Sequence, residues 1–177
     1  MLCEKIIKYD IPTETLIEHQ LHIYNNKAIG LVKYYSLFGS FFMNKFLRKY
    51  PNTFVKKEIG KDRTTDPTSG KKNFLPNPLL ETNIKLMINL IQTAPAFKTT
   101  HTVYRFIDDD SFISHVKPGD IYTDLSFAST TRNPYYYQEN YQFGYILMKI
   151  TLPINQKGIG LCMESYSNFP KEEEIVL

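Results

Sequence analysis

The hydrophobic period changes once along this chain, at Pro95, and that change limits the folds open to it. Before Pro95 apolar residues recur at helical spacing, and after it they follow the shorter period of strands. Helices first and strands afterwards point to an α+β fold, not to alternating βαβ units. The 177 residues divide into a helical N-terminal region, 1–95, and a β-rich core, 96–177, read as one integrated domain. An apolar content of 42% is enough for a packed core and argues against disorder.

Three helices are expected in the first part. Thr13 caps one that carries Leu16, Ile17, Leu21 and Tyr24 on one side. Residues 27–49 form the second, with Leu31, Tyr35, Phe38, Phe42 and Phe46 at spacings of four and three, and Pro51 stops it. The third begins with Asn77 as cap and Pro78 in the first turn, where the missing N–H costs nothing. Its buried stripe is Leu80, Ile84, Met87, Ile88 and Ile91. The Lys-rich stretch 55–73 reads as a surface loop. Strands are expected at 102–107, 121–131, 145–152, 159–165 and 174–177.

Several function classes lose support. A net charge of +3 is too mild to single out nucleic acid, and a basic loop is usually just solvated, so no nucleic-acid partner is assigned. The apolar stretch 31–47 is interrupted by Lys33, Asn44 and Lys45, which argues against a transmembrane segment. Lying on a membrane surface stays open to it, although core packing is the commoner fate. Cys3 and Cys162 have no metal-ligand spacing; a buried or free thiol is the better reading of each, with one disulfide between them left open. Asp108-Asp109-Asp110 lacks a second ligand cluster, and no metal is assigned. No signal peptide is evident, which fits a cytosolic protein, a virus-encoded one or an effector delivered by another route. Gly158-Ile159-Gly160 is the only partial Rossmann match, and position 163 is Met. If NAD⁺ binds, another scaffold holds it.

Three features carry chemistry. Arg105 sits between Tyr104 and Phe106 in a strand, where a long cation must reach water or an anion. Its guanidinium fork suits a diphosphate, although such an arginine is more often at a sheet edge or in a structural ion pair. Ser129, Thr130 and Thr131 follow, with Ser129 and Thr131 sharing one strand face. Glu172 and Glu174 flank Glu173 and share a face of an extended segment, leading into Ile175-Val176-Leu177. Neighbouring carboxylates usually form a solvated patch; in a site they divide two tasks.

Taken in order, these residues resemble the Arg, Ser-Thr-Ser and Glu-x-Glu signature of the toxin-like arginine-specific mono-ADP-ribosyltransferases. The frame is similar too: Val116-Lys117-Pro118-Gly119-Asp120, then Asp124, Phe127 and Ala128, and later the strand Ile146 through Pro153. The likeness covers about residues 79–177. Thr131 replaces the family's second serine, and Phe106 stands where glycine is common. The family usually continues through a further strand, so the chain reads as C-terminally truncated.

The resemblance implies N-terminal helices followed by a mixed two-sheet core. It implies transfer of ADP-ribose from NAD⁺, as co-substrate, to an arginine of a protein partner. In it Glu174 is the catalytic carboxylate, Ser129 holds that carboxylate, and Arg105 binds the phosphates. Thr130, Thr131 and Arg132 belong to the NAD⁺ site, with a tyrosine among Tyr135, Tyr136 and Tyr137 stacking on the nicotinamide. Glu172 and the aromatic Phe169, three residues before it, meet the acceptor. The rivals are an NAD⁺ glycohydrolase, with water as acceptor, and a non-enzymatic protein-binding module.

Overall fold

A computed structural model describes residues 16–49, 78–107, 111, 113–133 and 146–177. Thr13, Asn77, the stretch 55–73, Asp108–Asp110, the three tyrosines 135–137 and Cys3 lie outside the described residues.

Helix α1, Ile17–Asn25, buries a different face from the one its apolar residues suggest. Leu16, His19, Gln20 and Ile23 are buried, while Ile17, Leu21 and Tyr24 are exposed. The two polar side chains go inward because partners wait for them. The His19 ring stacks on Phe97 at 4.5 Å between centroids. Gln20 donates from Nε2 to the Cys162 carbonyl at 3.2 Å.

The second helix is one rod with a defect in it: α2 (Ile29–Tyr34), a π turn (Tyr35–Gly39) and α3 (Ser40–Lys49). A π turn inserts an extra residue and rotates all that follows. The buried positions are therefore Val32, Tyr35, Gly39, Met43, Phe46 and Leu47, whereas Phe38 and Phe42 of the expected stripe face outward. Gly39 is needed at the defect, since a Cβ there would lie 2.7 Å from the Tyr34 ring. Helix α4, Pro78–Gln92, starts on its proline and buries Ile84, Met87 and Ile91 with Glu81 and Leu90. Leu80 and Ile88 pack half-buried at the margin of that face.

Five strands follow: β1 (His101–Ile107), β2 (Ser129–Thr131), β3 (Ile146–Leu152), β4 (Leu161–Cys162) and β5 (Glu174–Val176). The α+β class holds, but the described strands form one sheet of order β3-β1-β2-β5-β4 with antiparallel pairing throughout, not a mixed pair of sheets. Its two halves, β3-β1 and β2-β5-β4, meet at the single pair Tyr104↔Thr131. Two strands are shorter than expected. Residues 121–128 run as irregular chain, where Asp124 Oδ1 accepts from the Ser126 N–H at 3.0 Å. Of 159–165 only Leu161–Cys162 is strand. Gly158 turns with φ +72° directly under α4, where a Cβ would meet the Gln92 carbonyl at 2.5 Å. The Gly-Ile-Gly segment thus serves close packing.

Alternation along β4 and β5 splits the core. Leu161 and Val176 join Tyr35, Met43, Ile84 and Met87 under the helices. Cys162, a buried free thiol, and Ile175 join Leu16, Phe97, Val103 and Leu152.

Candidate active site

Beyond the pair Tyr104↔Thr131 no further register pair joins β1 to β2 among the described residues, and a cleft opens there. Arg105 and Ser129 line it from the sheet. Ser40, Asn44, Lys45 and Arg48 of α3 line the opposite wall, and the volume is about 870 Å³. That is the scale of small-molecule and cofactor sites.

Helix α3 is held over β2 by specific bonds. Asn44 pairs with both backbone groups of Phe127, donating to its carbonyl at 3.1 Å and accepting from its N–H at 3.0 Å. Tyr35, fully buried at the start of the π turn, places its hydroxyl 3.0 Å from Ser129 Oγ. The Tyr35 ring meets the Phe127 ring edge-on at 5.8 Å. The π turn therefore does two things at once: it aims Tyr35 at β2 and presents Lys45 and Arg48 to the cleft.

Glu174, the first residue of β5, pairs in register with Thr131 and is buried. It is not itself a wall of the cleft and reaches it through Ser129. Burial raises its carboxyl to about 7; the nearby Ser129 hydroxyl opposes that rise, and the negative charge of Glu172 adds to it. Ser129, Glu174 and Glu172 thus form one electrostatic group beside the cleft. Burial also raises the Glu172 carboxyl.

The connection between the two carboxylates is not the extended segment expected from sequence. Glu172 ends a 3-10 turn, Pro170–Glu172, and Glu173 is left-handed at φ 49°, ψ 47°. A non-glycine residue pays for that conformation. Three ties hold the turn against β2. Thr131 Oγ1 donates to the Glu172 carbonyl, the Arg132 N–H donates to the Glu173 carbonyl at 3.2 Å, and the Arg132 guanidinium lies 3.6 Å from the Glu173 carboxylate.

Those ties also show what Thr130, Thr131 and Arg132 do here. Thr130 is buried and donates to the Ile175 carbonyl at 2.6 Å. Thr131 Oγ1 is engaged by Glu172 and by Asn133, whose N–H it accepts at 2.9 Å. Arg132, expected at the phosphates, is buried and ion-paired to Glu164 and Glu173. These three residues fasten the sheet and the Glu172–Glu173 turn; they are not walls of the cleft. Arg105 is partly exposed and bonds Asp124 Oδ2 at 3.3 Å through one Nη. A guanidinium has five N–H donors, so one such contact leaves capacity for an anion.

Phe169 is half-buried in the turn before Glu172. Its neighbour Asn168 anchors that turn to the second helix, donating from Nδ2 to the Lys33 carbonyl at 2.7 Å and to Ser36 Oγ at 2.8 Å. Sequence reasoning did not find the α3 wall or Tyr35. The signal for the wall is a polar Asn-Lys-x-x-Arg spacing inside an apolar helix, which reads equally well as the helix's solvent side.

Comparison with solved structures settles the scaffold. Plx2a, an ADP-ribosyltransferase toxin from Paenibacillus larvae, superposes with a TM-score of 0.56 at 14% identity, over 93% of this chain and 81% of that one. An ADP-ribosyltransferase from Clostridium botulinum gives 0.58 at 15% identity, over 98% and 86%. The enzymatic component of the Clostridium botulinum C2 toxin gives 0.54 at 18% identity, over 93% and 38%. The fold is that of the ADP-ribosyltransferase toxins. No family model matches the sequence. An uncharacterized protein of Acanthamoeba polyphaga mimivirus is 57% identical over 175 residues, 99% of this chain and 22% of that protein. The chain therefore spans about a fifth of the length of that relative.

Proposed function

We propose that the protein is a virus-encoded mono-ADP-ribosyltransferase that moves ADP-ribose from NAD⁺ to arginine side chains of a target protein. The observation that carries this reading is the cleft that joins Arg105 and the α3 cations to the Ser129–Glu174 pair, on a fold shared with ADP-ribosyltransferase toxins.

The chemistry follows from the substrate. The bond between ribose C1′ and nicotinamide breaks with its electron pair leaving on a ring nitrogen that is already cationic, so no acid is needed. The difficulty lies in the oxocarbenium-like sugar, as in glycoside hydrolysis. A carboxylate in a water-poor site stabilises that charge more than it would in water. Glu174 takes this role, with Ser129, backed by Tyr35, fixing its position. Arg105, Arg48 and Lys45 hold the diphosphate. An arginine nucleophile gives up a proton as its nitrogen bonds C1′. Glu172, half-buried and with its carboxyl raised, receives that proton and orients the guanidinium. Phe169, in the turn tied down by Asn168, contacts the target.

Glu172→Gln tests the acceptor. Arginine modification should fall by at least about tenfold to a hundredfold, while slow NAD⁺ hydrolysis continues, since water needs no guanidinium partner. Quantifying ADP-ribosyl-protein and free ADP-ribose from the same reaction gives both numbers. Equal losses in the two reactions would refute the division between Glu172 and Glu174. Intact arginine transfer would remove Glu172 from the acceptor site.

A further inference from the structure

The outward side of the second helix carries an apolar crest that the cleft does not use. Phe38 is 66% exposed, Phe42 50% and Leu37 48%. Phe41, 64% exposed, stands at the border between crest and cleft and meets the Phe42 ring edge-on at 5.4 Å. Lone exposed apolar residues are ordinary, but a contiguous group of four marks a contact surface. The π turn creates it by rotating these side chains away from the core.

The charges around the crest say what it meets. Residues 29–49 contain no Asp or Glu and four cations, Lys33, Lys45, Arg48 and Lys49, all exposed. Lys45 Nζ lies 5.7 Å from the centre of the Phe41 ring. The cores of protein–protein interfaces are poor in lysine. Phenylalanine and leucine beside cations suit the boundary between acyl chains and anionic headgroups, where the rings enter. Lys33, outside the cleft, stays with lipid phosphate, and Lys45 and Arg48 on the cleft side add to the positive field that draws the anionic surface. Among the described residues no helix is long and apolar enough to cross a membrane.

We propose that the Leu37–Phe38–Phe42 crest docks this protein onto an anionic lipid surface. Because the crest adjoins the cleft, docking turns the cleft toward targets at that surface. Docking of this kind does not depend on the reaction assigned above.

The test is co-sedimentation of the full chain with phosphatidylcholine vesicles, with and without phosphatidylserine. Binding is expected to the mixed vesicles at low salt, with much less to phosphatidylcholine alone and a loss on raising salt. Phe38→Ser combined with Phe42→Ser should weaken partitioning by about tenfold or more while leaving the thermal midpoint nearly unchanged, because both rings are already at least half exposed. The chain has no tryptophan, so Phe38→Trp supplies a second readout that keeps the crest apolar. The emission of that variant should shift to the blue on phosphatidylserine vesicles. Wild-type protein that ignores the mixed vesicles overturns the proposal and assigns the crest to a protein partner. So does unchanged partitioning of the double variant, or a Phe38→Trp emission unaffected by vesicles.

Discussion

Glu174→Gln should abolish most nicotinamide release while making the protein more stable. The two effects have one cause. The carboxyl is raised from its ordinary 4.5 to about 7, mainly by burial. A raised carboxylate pKa means that the folded state binds the proton more tightly than the unfolded one. Its stabilising contribution is therefore complete below about pH 4.5 and is lost as pH rises through 7. At pH 8 the ionised group costs up to about 3 kcal/mol. Glutamine keeps the shape and removes the charge, so that cost disappears. The catalytic loss should reach a hundredfold or more, roughly the effect of removing one preorganised electrostatic group. Wild-type turnover should rise with pH through about 7 as Glu174 ionises. Denaturant melts of both proteins at pH 8 and pH 4.5, with nicotinamide release at pH 8, test the pair of claims. A variant that is less stable at pH 8, or that keeps most of the activity, contradicts them.

Acid should loosen the opposite side of the sheet, through two buried histidines. His19 of α1 and His101 of β1 both pack on Phe97, with ring centroids at 4.5 and 4.8 Å. Burial lowers both from 6.5 to about 4, with the charges of His22 and His101 acting the same way on His19, Glu18 opposing, and Arg132 lowering His101. The geometry agrees for His19, whose Nδ1 accepts the Cys162 N–H at 3.3 Å and so is unprotonated. Among the described residues no partner meets His19 Nε2 or His101 Nδ1. The unfolded chain takes up these protons near pH 6.5 and the folded one only near 4. Stability is thus full above about 6.5 and falls as pH drops toward 4, by up to about 3 kcal/mol for each histidine. Glu174 acts in the other direction over about 7 to 4.5, offsetting only one of the two. Urea unfolding at pH 7.5 and 4.5 should show a net loss of about one histidine's contribution, which largely disappears in His101→Asn because Glu174 then offsets the histidine that remains. Equal stability at both pH values would mean that the histidines are not held neutral.

The sequence carried the order of the parts better than their faces. The switch of period at Pro95 and the proline start of α4 were legible because they are local. The face of α1 was not, since His19 and Gln20 are drawn inward by Phe97 and Cys162, residues far along the chain. The π turn shifted the stripe of the second helix, and no pattern of apolar residues announces such a defect. At the site, Arg105, Ser129 and Glu174 stand out through their order along the chain. The α3 wall and the Tyr35–Ser129 bond depend on how a helix lies across a strand some ninety residues later. The resemblance put Thr130, Thr131 and Arg132 at the NAD⁺ site, and what a sequence does not show is that Thr130 bonds the Ile175 carbonyl, Thr131 the Glu172 carbonyl, and Arg132 pairs with Glu164.

The central claim is that this cleft cleaves NAD⁺ and hands ADP-ribose to a guanidinium. Incubation of the protein with NAD⁺ and an equal mixture of arginine-rich and lysine-rich peptides tests it most directly, with mass spectrometry of both peptides and of the released nicotinamide. Nicotinamide release is expected, with ADP-ribose on the arginine peptide and none on the lysine peptide, and with both signals lost in Glu174→Gln. NAD⁺ left intact by the wild-type protein, or ADP-ribose placed on lysine as readily as on arginine, would contradict it.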